Sequence, residues 1–390
     1  MKRPLAGDVS GAVADLGIFV PLVAALILVN GLHPGPVLLV AGLLSVAAGG
    51  WFGIPFPVQP LKALTALAVA QQLAPDVIHA AGLLIGLILV VLTITGLADR
   101  VAAAFTKPVI RSLQLAVGTL LVLTAYDLAV APPQLFVHSP PTSWTLTLTA
   151  TTLVAVGVAV WRRWYAAAAV VVALGVLAAI AVGQPQFGSL SLHVPQLAVP
   201  TVEVWATAFV LLVIPQLPLT YGNAVVGMAD LAREHFPAAR RVRPGSVALS
   251  CGLGNIGAAL LGGMPMCHGS SGFTAHVRLG ARTSTMNLLL GGGFVVLGLA
   301  FAEQVLVLFG LLPVWALAGF LAYAGLRHAL LVLDLAGARL VLAVGAAAVG
   351  VVTGNLATTT AIALLVEWLP HLWRRLRRGN ANSLTVDRTA

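Results

Sequence analysis

The chain is 390 residues long, of which 59% are hydrophobic and only 8% are charged, and its mean hydropathy is +1.00. A soluble domain carries about 25% charged residues, so this composition excludes an ordinary soluble fold and indicates an all-α polytopic membrane protein. The net charge of +9 lies in short basic clusters between apolar runs, which is typical of cytoplasmic loops and predicts no nucleic-acid partner. The two cysteines lack metal-ligand spacing, so we expect no disulfide framework and no metal site.

Apolar runs between turn and charge signals predict about fourteen transmembrane segments. We place them at 12–30, 34–50, 54–72, 77–97, 112–129, 144–161, 165–183, 203–226, 246–262, 264–278, 285–302, 304–325, 338–353 and 355–370. The third, the tenth and the last two are short for a full crossing, which takes about 20 helical residues.

The basic residues fall on one side of these segments when the N-terminus is placed in the cytoplasm. The loops on the opposite side, such as 130–143 and 184–202, contain no Lys or Arg. This distribution predicts that both termini are cytoplasmic and that the protein lies in the inner (plasma) membrane of the cell. Lys62 is the one basic residue that departs from the pattern.

The sequence also resembles itself at an offset of 210 residues, for which a chance coincidence of Gly and Pro is the alternative explanation. The matched residues are Gly42 with Gly252, Leu43 with Leu253, Gly53 with Gly263 and Pro55 with Pro265. Because seven segments separate the two copies, their orientations must be opposite, as in the inverted repeats of secondary transporters. We therefore expect inverted repeats at 1–183 and 203–370 and a short basic cytoplasmic tail at 371–390.

Each copy contains a proline-punctuated stretch, 54–60 or 264–269, followed by a run that is compatible with a helix. Proline forbids a continuous helix there, so an extended segment should lead into a half-helix, which in the first copy can start only near Pro60. Irregular backbone at membrane depth is tolerated only against protein or a water-filled cavity. Two half-helix N-termini, each worth roughly half a positive charge, should therefore point at one binding site.

The side chains at these half-helix starts favour an oxyanion as the ligand. Lys62 raises the positive charge to about +2, which suits a dianion; its alternatives are a snorkelling role or a structural pair with a buried acid. Hydroxyl and backbone donors suit a tetrahedral oxyanion, although small-residue packing is the alternative for the serines. The predicted binding residues, which include two from the polar face of the eighth segment, are Gln59, Pro60, Lys62, Gly269, Ser270, Ser271, Gln216 and Asn223.

Two titratable residues are candidates for proton coupling. Asp15 is an acid within the first segment and could pair with Lys62 or carry a proton, although it could also sit in water near the cytoplasmic end. His268 could titrate near neutral pH, but we favour a structural, hydrogen-bonded role for it.

No catalytic motif competes with transport. The sequence contains no P-loop, no HExxH and no Ser–His–Asp context, so we expect neither an enzyme nor a cofactor. An anion channel and a nucleobase permease of the same fold are the alternatives. Lys62 argues against the permease, because a neutral base has no use for a buried cation.

Four stretches of the chain resemble the molybdate transporter family, which is related to the SulP sulfate permeases. PFPVQPLKALTA from Pro55 is similar to the family's first signature and RLGARTS from Arg278 to its second, while MPMCHGSSG from Met264 and GDVSGAVADLGIFVP from Gly7 are similar to further family segments.

The resemblance implies a core and a gate in a seven-plus-seven inverted-repeat fold, as in SulP and uracil permeases. It also implies secondary-active import of molybdate, with sulfate second, coupled to protons or another gradient. The implied partners are the oxyanion, protons and the lipid bilayer, and a homodimer is compatible with the family. We expect no regulatory STAS domain, because little chain follows Arg378.

The sequence departs from the family pattern at three places. Leu61 stands where the family usually has Met, Ser270-Ser271 where it has Ala-Gly, and Ser284 where it has Gly. Because the two serines change the donors that face the anion, the preference between molybdate and sulfate stays open.

Overall fold

The computed structural model describes residues 4–136, 140–164, 166–183 and 197–369. The helices of the first half are α1 (Pro4–Leu28), α2 (Pro34–Phe52), α3 (Lys62–Ala70), α4 (Pro75–Ile94), α5 (Leu97–Ala104), α6 (Lys107–Val130), α7 (Thr142–Trp161) and α8 (Ala167–Gly183). Those of the second half are α9 (Val202–His235), α10 (Pro244–Leu260), α11 (Ser270–Arg278), α12 (Thr285–Ala300), α13 (Ala302–Gly310), α14 (Val314–Asp334), α15 (Gly337–Thr353) and α16 (Leu356–Leu369). Two short strands, β1 (Gln59–Pro60) and β2 (Met266–Cys267), precede α3 and α11.

Seven of the described helices are long and apolar enough to cross a membrane on their own, and an eighth span results if α12 and α13, which are bent by 105°, are counted together. Helices α8, α15 and α16 are apolar but shorter. The prediction of an all-α membrane protein is confirmed, whereas the total of fourteen spans stays a prediction. The tail at 371–390 and most of the loop at 184–202 lie outside the described residues.

The twelfth predicted segment, 304–325, has wrong bounds. Helix α13 ends at Gly310, and α14 begins at Val314 directly after Pro313. Proline has no N–H to donate, so it breaks a continuing helix but fits the start of a new one. The apolar run is therefore divided between a short helix and a longer span.

The two half-helices, α3 and α11, both lie between α1 and α9. Around them, α2 packs on α12 and α4 packs on α10, so that helices of one half are paired with helices of the other. We call the assembly of α1 to α4 and α9 to α12 the core. Helix α14 packs on α6 and α7, and α15 packs on α6; we call the assembly of α6 to α8 and α14 to α16 the gate.

The paired helices of the core cross so closely that only glycine fits. A Cβ atom on Gly291 of α12 would lie 2.7 Å from the carbonyl oxygen of Gly42 on α2, and one on Gly86 of α4 would lie 2.8 Å from that of Gly252 on α10. Small residues allow such close packing between membrane helices, where apolar burial gives little driving force. The crossings fix the frame that holds the half-helices.

Side chains donate hydrogen bonds to backbone carbonyl groups near the C-terminal end of each half-helix. Asn30, after α1, donates its Nδ2 to the carbonyl of Ala68 in α3 at 2.8 Å. Arg282 donates its Nη1 to the carbonyl of Val277 in α11 at 2.7 Å. Because the last carbonyls of a helix have no intrahelical partner, these contacts allow both half-helices to end inside the protein.

Candidate functional site

The two extended segments meet at the centre of the core. Strands β1 and β2 are antiparallel, with Gln59 opposite Cys267 and Pro60 opposite Met266, and the N–H of Leu61 donates to the carbonyl of Pro265 at 3.1 Å. Each strand leads directly into its half-helix, so the two N-termini face one another. The first half-helix begins at Lys62, two residues after Pro60, because the proline belongs to the strand ladder.

Two buried asparagines form hydrogen bonds with the backbone N–H and carbonyl groups of the irregular segments at these strands. Asn255 of α10 accepts the N–H of Met266 at 2.9 Å and donates to the carbonyl of the same residue at 2.7 Å. Asn287 of α12 accepts the N–H of Phe56 at 2.8 Å and donates to the Phe56 carbonyl at 2.6 Å. Unpaired backbone groups are costly in a membrane interior, so each side chain acts as a two-bond clamp. Sequence reasoning missed both residues, although a lone Asn in an apolar helix was a signal.

Lys62 lies between the two half-helices. Its Nζ donates to Gln59 Oε1 at 3.0 Å, and Gln59 Nε2 in turn donates to the fully buried Asp15 carboxylate. Asp15 is therefore linked to Lys62 through Gln59, rather than as the direct ion pair considered from the sequence. A Cβ atom on Gly269 would lie 3.2 Å from Lys62 Nζ, so the glycine lets the ammonium reach the start of the second half-helix.

Two buried hydroxyls begin the second half-helix. Ser270 Oγ donates to Asn223 Oδ1 of α9 at 2.5 Å. Ser271 Oγ is buried and has no hydrogen-bond partner within the described parts of the chain. It lies 3.8 Å from the position that a Cβ atom on Gly269 would take. Ser271 and Lys62 therefore approach the same point, one with an unused hydroxyl and the other with a cation.

Side chains from the polar face predicted for the eighth segment form hydrogen bonds with both half-helices. Gln216 accepts the N–H of Leu64 at 2.8 Å and so caps the first turn of α3, while its Nε2 donates to Thr220 at 2.8 Å. Asn223, farther along α9, binds the second half-helix through Ser270. This stretch of α9 contains Pro218 and widens into a π-helical turn at Thr220–Val226, a distortion that often marks functional sites. Gln216 is thus engaged as a helix cap, which the sequence did not predict.

His268 has both ring nitrogens occupied. Nδ1 lies 2.8 Å from the carbonyl oxygen of Pro57 and Nε2 lies 2.8 Å from Ser250 Oγ, while the ring packs edge-on against Phe56. A carbonyl can only accept, so Nδ1 carries the proton and Nε2 accepts from the serine. These contacts join the two extended segments and favour the structural role over the proton-carrying role.

Sequence reasoning missed two further histidines. His276, within α11, places Nε2 3.8 Å from Asp15 Oδ1 and has its Nδ1 2.9 Å from the carbonyl oxygen of Gly11. His328, from the gate helix α14, places Nδ1 3.0 Å from Thr274 Oγ1. The position of His276 inside a half-helix was a usable signal, whereas nothing in the sequence of α14 indicates that His328 reaches the site.

Comparison with known protein families identifies the chain. Residues 7–121 and 208–328 match the profile of the family described as "Molybdate transporter of MFS superfamily". The chain belongs to this molybdate transporter family. The matched ranges contain both half-helices and every binding residue predicted above, so the resemblance seen in the sequence motifs is confirmed.

Curated relatives cover most of the chain. "Molybdate transporter 2" of Arabidopsis thaliana is 29% identical over 85% of this chain and 79% of its own length. "Molybdate transporter 1" of the same plant is 28% identical over 85% and 81%, and "Molybdate transporter 1" of Chlamydomonas reinhardtii is 29% identical over 83% of each chain. These relatives are transporters by name, in agreement with the prediction that this protein is not an enzyme.

Two solved structures share the fold of this family member. The transmembrane domain of a cyanobacterium bicarbonate transporter, BicA, superposes with a TM-score of 0.60 at 16% identity and covers 92% of this chain and 98% of its own. The overall structure of SLC26A9 gives a TM-score of 0.58 at 14% identity and covers 96% of this chain and 66% of its own. At such low identity the likeness shows the fold alone, and it confirms the predicted fold class.

Proposed function

We propose that the protein is a secondary-active transporter that imports a tetrahedral oxyanion, molybdate first and sulfate second, by alternating access. The observation that carries the proposal is the meeting of two half-helix N-termini at Lys62. The names of the curated relatives support molybdate as the substrate.

Several hydrogen-bond donors converge on this point, beside one acceptor, Gln59 Oε1, which already accepts from Lys62. Ser271 Oγ is unpartnered among the described residues, and in the same part of the chain no hydrogen bond starts from the backbone N–H groups of Ser270, Ser271 or Gly272. Lys62 Nζ donates to Gln59 and has further donors available. Helix N-termini bind tetrahedral anions through backbone N–H groups and the positive end of the dipole. Molybdate and sulfate both match this set of donors.

Asp15 supports coupling to protons. Its Oδ2 is buried without a partner in the described chain, and the titratable His276 places Nε2 3.8 Å from Oδ1. Moving each negative charge into a cell with a negative interior costs about 2.3 kcal/mol per 100 mV, and a proton that travels with the anion offsets that cost. We therefore propose Asp15 as a proton site and His268 as a structural residue.

We further propose that the halves 1–183 and 203–370 are inverted repeats and that both termini face the cytoplasm of a cell whose inner membrane holds the protein. The packing of α2 on α12 and of α4 on α10 supports the repeat. Two copies related by a two-fold axis in the membrane plane pair their helices in this way. The one-sided Lys and Arg distribution supports the orientation. A homodimer stays a prediction.

Uptake into proteoliposomes tests the transport proposal. With an inward proton gradient, labelled molybdate should accumulate above its external concentration, and a proton ionophore should abolish the accumulation. Liposomes without protein are the control. Flux that only runs downhill under the imposed gradient indicates an anion channel, and uptake of labelled uracil without molybdate indicates a nucleobase permease; either result overturns the proposal.

A further inference from the structure

His328 connects the gate to the start of the second half-helix. The ring is fully buried, although it belongs to the gate helix α14. Its Nδ1 lies 3.0 Å from Thr274 Oγ1 and its Nε2 lies 3.4 Å from Ser270 Oγ. Ser270 is the first residue of the half-helix whose N-terminus faces Lys62. A gate residue therefore touches the proposed anion site through one hydroxyl.

The hydrogen bonds in this cluster leave no hydrogen atom between His328 Nε2 and Ser270 Oγ. Thr274 Oγ1 donates to the carbonyl of Ser270, so His328 Nδ1 must donate to Thr274. Ser270 has one hydroxyl hydrogen, and it is used on Asn223. The neutral ring then presents a bare Nε2 to a serine oxygen that has no hydrogen left for it. A proton on Nε2 turns this weak contact into a donated hydrogen bond.

The surrounding charges determine when that proton is favourable. Burial of the ring opposes a charge on it, and the cations Lys62 of α3 and Arg111 of α6 oppose a positive charge further. Helices α1, α7, α8 and α11 also pack on α14. Of these, α1 carries Asp8 and Asp15 and α11 carries His276 and Arg278, whereas α7 and α8 carry no titratable residue. With the site empty, a cationic ring would be buried beside two other cations.

A bound dianion reverses this balance. The two half-helix ends together supply roughly one positive charge and Lys62 one more, and Asp15 removes one whenever it is ionised. A dianion therefore leaves the site short by about one positive charge, which buried groups tolerate poorly. A proton supplied from solution can fill that deficit at Asp15 or at His328. Asp15 is separated from the anion position by Gln59, whereas His328 is separated from it only by Ser270.

We propose that His328 takes up a proton from solution on Nε2 when an oxyanion occupies the site, and that this positioning residue thereby couples anion binding to the gate. The inference rests on the proposed function. The new N–H donates to Ser270 Oγ, so the loaded core and the gate are held more firmly together than the empty ones. Asp15 lies on a core helix and moves with the site, whereas His328 lies on the gate helix α14 and contacts Ser270 of the core.

Calorimetric titration of the purified protein with molybdate near pH 7, in two buffers of different ionisation enthalpy, counts the protons taken up on binding. We expect wild type to take up at least one proton, and His328→Gln to bind molybdate with about one proton fewer. The affinity of wild type should also fall up to tenfold per pH unit as the pH rises, because proton uptake is linked to binding, and this slope should decrease by one unit in the variant. His33→Gln, an exposed histidine at the start of α2 whose Nδ1 accepts the N–H of Gly35, is the matched control.

The outcomes separate this inference from the proposed function. If wild type does not bind molybdate, the proposed function fails. If wild type and His328→Gln bind molybdate with the same proton count, the inference fails and the function stands; a lower count in Asp15→Asn alone would then place the proton on the core. Should the Gln variant not fold, nitrogen-15 NMR of the imidazoles in wild type replaces it. One ring should change from the neutral to the doubly protonated form on molybdate addition, and the absence of any such change overturns the inference.

Discussion

Lys62 illustrates how a buried cation is tolerated at membrane depth. Inserting a lysine at the centre of a bilayer costs on the order of 3 kcal/mol, yet this ammonium keeps a hydrogen bond to Gln59 and, through it, contact with the Asp15 carboxylate. The chain of polar groups holds the cation in place without pairing it fully. The remaining positive charge is therefore available to an anion.

Lys62→Ala should weaken molybdate binding while the protein still folds, because it removes the one full positive charge at the two half-helix starts. A hydrogen bond to a charged group is worth about 1.5–3 kcal/mol, so we expect a loss of about 10- to 150-fold in affinity. Calorimetric titration measures it, with Lys107→Ala as the control, since Lys107 is exposed and paired with Asp334. Unchanged affinity would assign Lys62 a structural role.

The paired serines should set the choice between oxyanions. Replacing Ser270 by Ala and Ser271 by Gly removes two hydroxyls, one bound to Asn223 and one unpartnered among the described residues. A neutral hydrogen bond contributes about 0.5–1.5 kcal/mol, so the ratio of molybdate to sulfate affinity should change by about 2- to 10-fold. Competition of sulfate against labelled molybdate measures the ratio. Ser112→Ala, whose hydroxyl bonds only within α6, is the control; an unaltered ratio in the double variant would show that selectivity lies elsewhere.

The extended segments depend on helices outside their own stretch of chain. Asn287 pairs both backbone groups of Phe56, and Asn255 does the same for Met266. The half-helices can begin at membrane depth because these clamps, with the β1–β2 ladder, satisfy the backbone that proline leaves irregular.

Asn287→Leu should destabilise the fold, since it leaves a buried N–H and a buried carbonyl of Phe56 unpaired. Each such group costs about 1–3 kcal/mol, so the two together predict a decrease of about 2–6 kcal/mol in the free energy of unfolding. Thermal unfolding in detergent detects the change, and Gln71→Leu, at the exposed end of α3, is the control. A midpoint equal to that of wild type would mean that the clamp contributes nothing.

Two adjacent glycines of α12 differ in how closely a neighbouring helix packs against them. A Cβ atom on Gly291 would meet the backbone of Gly42 at 2.7 Å, whereas one on Gly292 would meet nothing within 4 Å. Gly291→Ala should therefore destabilise the protein by about 1–3 kcal/mol through overpacking. Gly292→Ala should be neutral or stabilising by up to about 1 kcal/mol, because alanine is the better helix former. Equal unfolding midpoints for the two variants would contradict the close crossing.

Across the whole molecule, core and gate are joined by an ion-pair network around Arg111. The Arg111 side chain is only 3% exposed; Nη2 lies 2.7 Å from Asp334 of the gate and Nη1 lies 3.0 Å from Asp230 of the core. Gln114 accepts a further bond from Arg111 at 2.8 Å, and Lys107 pairs with Asp334 at 2.8 Å. Under the proposed alternating access, the Arg111–Asp230 bond has to break, since one partner lies in the gate and the other in the core.

Asp230→Asn should loosen this contact without unfolding the protein, because Arg111 keeps Asp334. Weakening one charged hydrogen bond by about 1.4 kcal/mol raises the open population about tenfold. Hydrogen exchange measured by mass spectrometry should accelerate in the first turns of α6 and the last turns of α9. Glu203→Gln, at the exposed opposite end of α9, is the control. The same exchange rates in Asp230→Asn and wild type would show that the ion pair does not restrain the gate.

Much of the candidate site could be predicted because its signals are local. The prolines at 55, 57 and 60 forbid a helix, so the extended segment and the later half-helix follow from covalent geometry. Lys62 stands out because a charge in an apolar run is costly wherever the chain folds. The bounds of α13 and α14 show the limit of this reasoning, since an apolar run predicts a span but Pro313 decides where it breaks.

The sequence by itself determined that the protein is a helical membrane protein, that two half-helices interrupt it, and that Lys62 and the serines stand at their starts. Those features depend on hydropathy, proline and spacing within a few turns of chain. Only the tertiary structure decided that Gln216 caps α3, that Gln59 separates Asp15 from Lys62, and that His328 and Arg111 connect gate to core. Leu64 and Gln216 are 152 residues apart, and Arg111 and Asp334 are 223 residues apart. The pairing of residues so distant in the chain is set by the way the helices cross, which no local pattern encodes.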